Sequence, residues 1–365
     1  DGLYLTRAWS AQRNGAAVSL DALATLQKAT TVPDGQKAAR KVTISCNWLL
    51  ADRQGNIGYQ QSGLMPVRRH SGLYPVPAWD ESWHWRGLVP ADRLHCEINP
   101  ERGFLVTANN DFNPPGGPLV INLPMGSYRA DRIDALLTEN DNCSIADMEL
   151  IQNDLYSLQA ERFMARLKPL LPDSFAGRML AGWDSRYDCE SRGATLFETV
   201  YHALMREVFG KNLLGEEAWD SLIASTAVFA DYYHFFDDAL LGDDPTWFDG
   251  EDRETVFRRV LDEVLTEVSL EAITPWGKRQ EIVMKNIFFE GRLPLWFGFD
   301  HGPIELSGNR ATVVQGGVFS SHGRKTTFTP SWRYVTDLGE DSARTCLAGG
   351  PSGNRFSRWY RSDIA

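Results

Sequence analysis

The sequence has no CxxC pair and only five cysteines, Cys46, Cys96, Cys143, Cys189 and Cys346, an odd number set far apart. That argues against a zinc cage or a dithiol redox motif, and the thiols are expected to be mostly buried. Seven histidines occur without HExxH or any other ligand spacing, so a protein-held transition metal is not expected. No apolar run approaches the ~20 residues needed to cross a bilayer, and Asp1–Gly2 does not open a signal peptide. Positive charge is also short. Against 48 Asp and Glu there are 37 Lys and Arg, a net charge of −11 with no basic stripe, so no nucleic-acid partner is expected.

What is present fits a globular chain. Of 365 residues, 43% are hydrophobic, enough to bury a sizeable core. Apolar residues at helical spacing predict a helix from Ala16 to about Lys28. The β-branched and aromatic stretch Val42–Leu50, the polar turn Asp52–Asn56 and the return segment Ile57–Ser62 predict a hairpin. Phe104–Ala108 reads as a further strand. Helical periodicity runs from Tyr128 to about Val268. Ser144 with Asp147 three residues on marks a helix start, after which Met148, Ile151, Leu155 and Leu158 share a face. Further helices are expected through Leu196–Phe209 and Arg253–Val268. From Ile287 strands return, including Ala311–Gln315, Thr326–Thr329 and Ser331–Asp337. The order gives an α+β unit with a helical excursion: a strand-rich core segment at 1–137, helices at 138–270, and returning strands at 271–365. The acidic residues between Asp231 and Asp252 lack the EF-hand order and read as a solvated connection.

Several residues have chemistry to offer. Asn109, at the end of Phe104–Ala108, carries a side-chain amide of the kind that stabilises a tetrahedral oxyanion, and equally Asn109–Asn110 suits a simple chain turn. Arg129 offers a rigid fork of donors, or an ordinary pairing with Asp131 or Asp134 at a helix start. Cys46 suits a buried strand. Trp83 and Trp85, at i and i+2, are expected to pack into the core, with sugar stacking as the rival use. A glycosidase would also need paired carboxylates, which no motif supplies. Gly350–Ser352–Gly353 has the wrong spacing for a nucleophile elbow and reads as a tight turn.

The ordered set Asn47–Trp48, Gly55–Asn56–Ile57–Gly58–Tyr59, Trp83–His84–Trp85–Arg86–Gly87, Thr107–Ala108–Asn109–Asn110, Gly126–Ser127–Tyr128–Arg129 and Gly349–Gly350–Pro351–Ser352–Gly353 resembles the penicillin acylase family of N-terminal nucleophile hydrolases. The resemblance runs from Arg7–Ala8–Trp9 to Tyr360–Asp363. It implies an αββα sandwich and hydrolysis of a linear amide in an N-acyl compound. The attacking group would be an N-terminal Ser whose own α-amine is the base. That Ser is not the first residue here, so residues 1–365 match the C-terminal majority of the catalytic β subunit. The α subunit and the first part of the β subunit would be partners, with a small N-acyl substrate. On the same resemblance Asn109 is the oxyanion donor, Arg129 organises the site and Cys46 lines the acyl pocket. The family's structural calcium would have one backbone ligand at Gly72. Pro118 stands where a carboxylate ligand is expected, with Asp111 as a substitute, so calcium is not counted on, and the chemistry itself needs no cofactor. The family is often exported to the bacterial periplasm.

Overall fold

The computed structural model describes residues 2, 4–10, 15–113, 115–116, 123–140, 142–226, 233–317 and 328–363. They fall into two compact units, one of residues 1–127 with 338–341, the other of residues 128–337 with 342–365.

In the first unit, helix α1 (Gly15–Leu26) is followed by α2 (Val32–Ala39) and a three-stranded antiparallel sheet of β1 (Cys46–Ala51), β2 (Ile57–Ser62) and β3 (Cys96–Ile98), in that order. Thr31 caps α2 by accepting the Asp34 N–H, and Pro33 occupies its first turn, where a missing N–H costs nothing. The hairpin pairs Cys46 with Ser62 through to Ala51 with Ile57. Buried Asp52 organises its turn. Oδ1 accepts the N–H groups of Gln54 and Asn56 at 2.9 and 3.0 Å, while Oδ2 accepts that of Val32 at 3.0 Å. One carboxylate thus closes the turn and ties it to the start of α2, and these backbone donors, Val32 first, lower its pKa. Gly55 turns at φ +88°. A Cβ at Gly58 would meet Val32 Cγ1 at 2.4 Å, so α2 lies on the hairpin at a distance only glycine permits.

The second unit is built on α3 (Tyr128–Thr138), α4 (Ile145–Gln152), α5 (Leu158–Leu167), α6 (Phe175–Ala181), α7 (Arg192–Met205), α8 (Glu216–Ser225), α9 (Tyr233–Leu241) and α10 (Arg253–Leu265). Serines 144, 157, 174 and 191 cap α4 to α7, each accepting a backbone N–H of the first turn, a contribution of ~1 kcal/mol per cap. At Ser144 the capping box with Asp147 is complete. Behind the caps, Phe163, Phe197, Val200, Leu204, Val256, Phe257 and Leu261 bury their side chains in one core. Each contributes ~1.5–3 kcal/mol by leaving water. Two hairpin ladders complete the unit: β4 (Glu281–Met284) with β5 (His301–Glu305), and β6 (Trp332–Asp337) with β7 (Ser342–Leu347).

Several expectations need correction. Phe104–Ala108 joins no ladder among the described residues, and the Ala108 N–H goes instead to Asn110 Oδ1 at 3.0 Å. Ala311–Gln315 is a turn in which side chains capture the backbone: Thr312 Oγ1 accepts the Asn309 N–H and Asn309 Oδ1 accepts that of Ala311. Thr326 lies outside the described residues, and Phe328 pairs with Gly317. Helix α4 stops at Gln152, leaving Leu155 and Leu158 outside it, because Ser157 opens a new helix. Helix α2, with only eight residues, gave too short a period to be read. None of the cysteines is buried: Cys96 and Cys143 are exposed and the other three half-buried, all free thiols. Cys96 is on the three-residue strand β3 and Cys143 in the loop before α4, places with too little around them to cover a side chain.

Candidate active site

In the first unit, the chemistry-bearing loop is fixed by the hairpin. Tyr59 of β2 is fully buried, its ring 4.4 Å from that of Phe112 and 5.2 Å from that of His95. Its hydroxyl donates to Asn47 Oδ1 at 2.7 Å, and Asn47 Nδ2 donates to Thr107 Oγ1 at 3.0 Å. Burial pushes the Tyr59 hydroxyl far above its ordinary value, so it remains a donor at any working pH. Two residues past Thr107 is Asn109, exposed and in the left-handed region at φ +65°, a conformation Asn tolerates better than most. Its carbonyl accepts the Met125 N–H at 2.8 Å. The position predicted for the oxyanion donor is therefore held from both sides, by Thr107 before it and Met125 after it.

Cys46 is half-buried opposite Ser62, and burial raises its thiol above the usual value. By strand alternation it shares a face with Trp48 and Leu50, and Leu50 meets α2 at Gly35. Asn47 is on the other face. The hairpin thus sets Cys46 and the Asn47–Thr107 brace on opposite sides of β1.

Gly72 is exposed at φ +83°, with the Arg68 guanidinium 2.5–2.7 Å from where its Cβ would be. Asp111 Oδ1 accepts both the backbone and side-chain N–H of Asn113. Pro118 lies outside the described residues. The Arg68 guanidinium beside Gly72 is a cation and offers calcium no ligand. Among the described residues there is no group of three or more His, Cys, Asp or Glu able to hold a metal ion. Trp83, in a short 3₁₀ turn, and Trp85 are only half-buried, and the Arg69 guanidinium lies over the Trp83 ring at 5.6 Å. Both Trp rings therefore stay at the surface, outside the packed core. Ser352 accepts the Asn354 N–H at 3.2 Å, the local turn its spacing predicts.

In the second unit, Arg129 opens α3 and is buried, and Tyr233 of α9 is buried as well. Burial lowers the guanidinium below its ordinary value, and Tyr233 opposes that shift. Behind Tyr233 is a set of ionisable groups that the sequence did not mark. Arg310 donates to Glu198 Oε2 at 2.9 Å and to Gln159 Oε1 at 3.2 Å, and its guanidinium lies 4.5 Å from the Tyr201 ring centre and 5.6 Å from that of Tyr233. Gln159 Nε2 and the Tyr201 hydroxyl each donate to the Asp237 carboxylate at 2.7 Å. The Tyr187 hydroxyl donates to Glu198 Oε1 at 2.8 Å. Burial alone would raise Glu198, yet Arg310 holds it down to about 2. For Asp237 burial prevails over Tyr201 and Arg310 and pushes the carboxyl up to about 6. Asp237 belongs to the acidic stretch read as solvated. It is fully buried, because helix α9 turns it toward α5 and α7.

The chain belongs to the penicillin amidase family, whose model matches residues 2–365. It is 27% identical over 376 residues to the penicillin acylase 2 proenzyme of Pseudomonas sp. (strain SE83), covering 95% of this chain and 46% of that protein. To the acyl-homoserine lactone acylase QuiP of Pseudomonas fluorescens (strain Pf0-1) it is 27% identical over 382 residues, covering 95% and 45%. To the penicillin G acylase of Escherichia coli it is 33% identical over 138 residues, 37% of this chain and 16% of that one. The chain spans about half the length of the first two. Among solved structures, a thermostable penicillin G acylase from Alcaligenes faecalis superposes with a TM-score of 0.56 at 22% identity, over 70% of this chain and 52% of that one. The fold is that of an N-terminal nucleophile hydrolase of mixed helix and strand.

Proposed function

We propose that the whole protein to which these residues belong hydrolyses a linear amide in an N-acyl compound, such as a β-lactam antibiotic or an acyl-homoserine lactone. The nucleophile is an N-terminal Ser outside residues 1–365, activated by its own α-amine and forming an acyl-enzyme. Asn109 donates its side-chain N–H to the oxyanion, Arg129 orders the surroundings of the nucleophile, and Cys46 shapes the acyl pocket without reacting. The observation that carries this reading is the geometry around Asn109, in a chain of the penicillin amidase family. A donor held rigidly where negative charge develops is worth ~3 kcal/mol.

The test begins with the complete gene. Intact masses and N-terminal sequencing of the purified protein should give two chains, the larger beginning with Ser upstream of Asp1. Replacing Asn109 by Ala should lower kcat ~10²–10³-fold with little change in KM. Residues 1–365 alone should turn over no amide. A single uncut chain that hydrolyses no N-acyl compound would leave a non-catalytic member of the family as the better account.

A further inference from the structure

Apolar surface is gathered at one joint of the second unit. Between β4 and β5 the chain runs through a loop, 285–300, and after β7 a tail, 348–363, is tied to that loop. The ties are polar and end on main-chain oxygens. The Arg355 guanidinium donates to the Phe297 carbonyl, the Tyr360 hydroxyl to that of Phe299, and the Arg361 guanidinium to that of Asp300 at 2.6 Å. Arg355 also lies 5.0 Å from the Phe299 ring centre and 4.8 Å from that of Phe356, and the Phe299 ring is 4.6 Å from that of Phe289. Because donors and carbonyls make the joint, the large side chains beside it are left outside. Phe288, Trp296 and Phe356 are 81%, 78% and 83% exposed, Ile287 is 79% exposed, and Leu295 and Trp359 are half exposed. An aromatic side chain buries ~150–250 Å², so three on one joint come to the size of the largest apolar patch that a typical monomer leaves in water, ~300–600 Å².

We infer that this aromatic patch is an internal interface of the whole protein, covered by polypeptide from outside residues 1–365. The chain spans about half the length of the relatives it matches. A whole protein of that length has as much polypeptide again with which to cover the patch. The composition suits a buried contact, since Trp, Phe and Arg are the residue types that gather at the centre of interfaces. A second copy of the chain fits less well. Around a two-fold axis the patch would face itself, and the exposed cations at its rim, Lys285 and Arg358, would meet like charges. Those cations, in a chain of net charge −11, call for a covering segment with apolar side chains at its centre and carboxylates at its edge. The inference makes no use of the proposed reaction.

The test uses the whole protein made from the complete gene. Hydroxyl-radical footprinting, with no substitution, should oxidise Phe288, Trp296 and Phe356 several-fold more slowly in the folded protein than after unfolding in urea. Side chains as exposed as these are in residues 1–365 would otherwise react at nearly the same rate in both states, and that result would overturn the inference. Trp296→p-benzoylphenylalanine should cross-link on irradiation to a peptide outside residues 1–365, with a yield independent of protein concentration. A cross-link to a second copy, its yield rising with concentration, would overturn the inference in favour of self-association. Protection of the three side chains only when phosphatidylcholine–phosphatidylglycerol vesicles are added would overturn it in favour of a lipid surface. Trp296→Asp combined with Phe356→Asp places two charges on the patch and should lower the unfolding midpoint of the whole protein by several degrees, whereas exposed positions would show no change. A whole protein that protects the patch yet cleaves no amide would defeat the proposed function alone. One that cleaves amides with the patch open to oxidation would defeat only this inference.

Discussion

The two units handle polar side chains in opposite ways. In the first, the polar side chains described above are tied to one hairpin and its adjoining loop: Asp52 serves its own turn, Asn47 joins Tyr59 to Thr107, and Asn109 is exposed at the end of that brace. In the second, Glu198, Arg310 and Asp237 are drawn into the interior and depend on residues up to 151 positions away in sequence. The contrast separates two duties. The residue proposed to meet a substrate is held on a short, solvent-facing brace, whereas the buried ions are locked in a region where breaking one contact leaves a charge unpaired.

Breaking the buried pair should therefore have the largest effect on stability. Replacing Glu198 by Gln strands the Arg310 cation and should cost about 3–5 kcal/mol, read as a drop in the denaturant midpoint of the second unit's transition. A loss below ~1 kcal/mol would mean that water reaches Arg310 and that the two regions are less different than they look.

A pH scan sharpens the comparison next. The folded Asp237 carboxyl holds its proton up to about pH 6, against an ordinary 3.8. Its contribution is full below 3.8 and declines as pH rises through 6, by about 3 kcal/mol in all. Glu198 acts in the opposite sense, since its folded value of about 2 is below the ordinary 4.5. Its stabilisation is present above 4.5 and disappears as pH falls through 2. The decline between pH 4 and 6 should vanish in Asp237→Asn, measured by thermal unfolding at closely spaced pH values. If the slope survives in that variant, its source is another group.

The smallest effect belongs to the first unit. Tyr59→Phe removes one hydrogen bond to Asn47, and should lower stability by about 1 kcal/mol. It should also speed amide exchange at residues 107–110 more than elsewhere. Uniform exchange would show that Thr107 does not carry the brace.

How far the sequence reveals these features depends on the distance over which each is encoded. The hairpin return Ile57–Ser62 and the Ser144 capping box were legible because their partners lie within a few residues. Asn109 could be singled out as a turn residue, and its left-handed backbone agrees, but its brace through Asn47 and Tyr59 needed the strand register. The burial of Asp237 escapes a sequence reading because local acidity says nothing about which face of a helix will be covered. Phe104–Ala108 has strand composition without a pairing partner among the described residues, and composition alone cannot supply one.

Arg310 has a further consequence, for the order of assembly. As the chain is synthesised, α5, α7 and α9 are complete well before residue 310 emerges, so Glu198 is made without its cation. Until Arg310 arrives, the helices can collect their apolar side chains but cannot bury Glu198 as an ion at acceptable cost. The last step in closing the helical core is thus delegated to a short turn between two strand-bearing segments. That turn works as a keystone, and the nascent helices should stay loose and open to chaperones until it is in place.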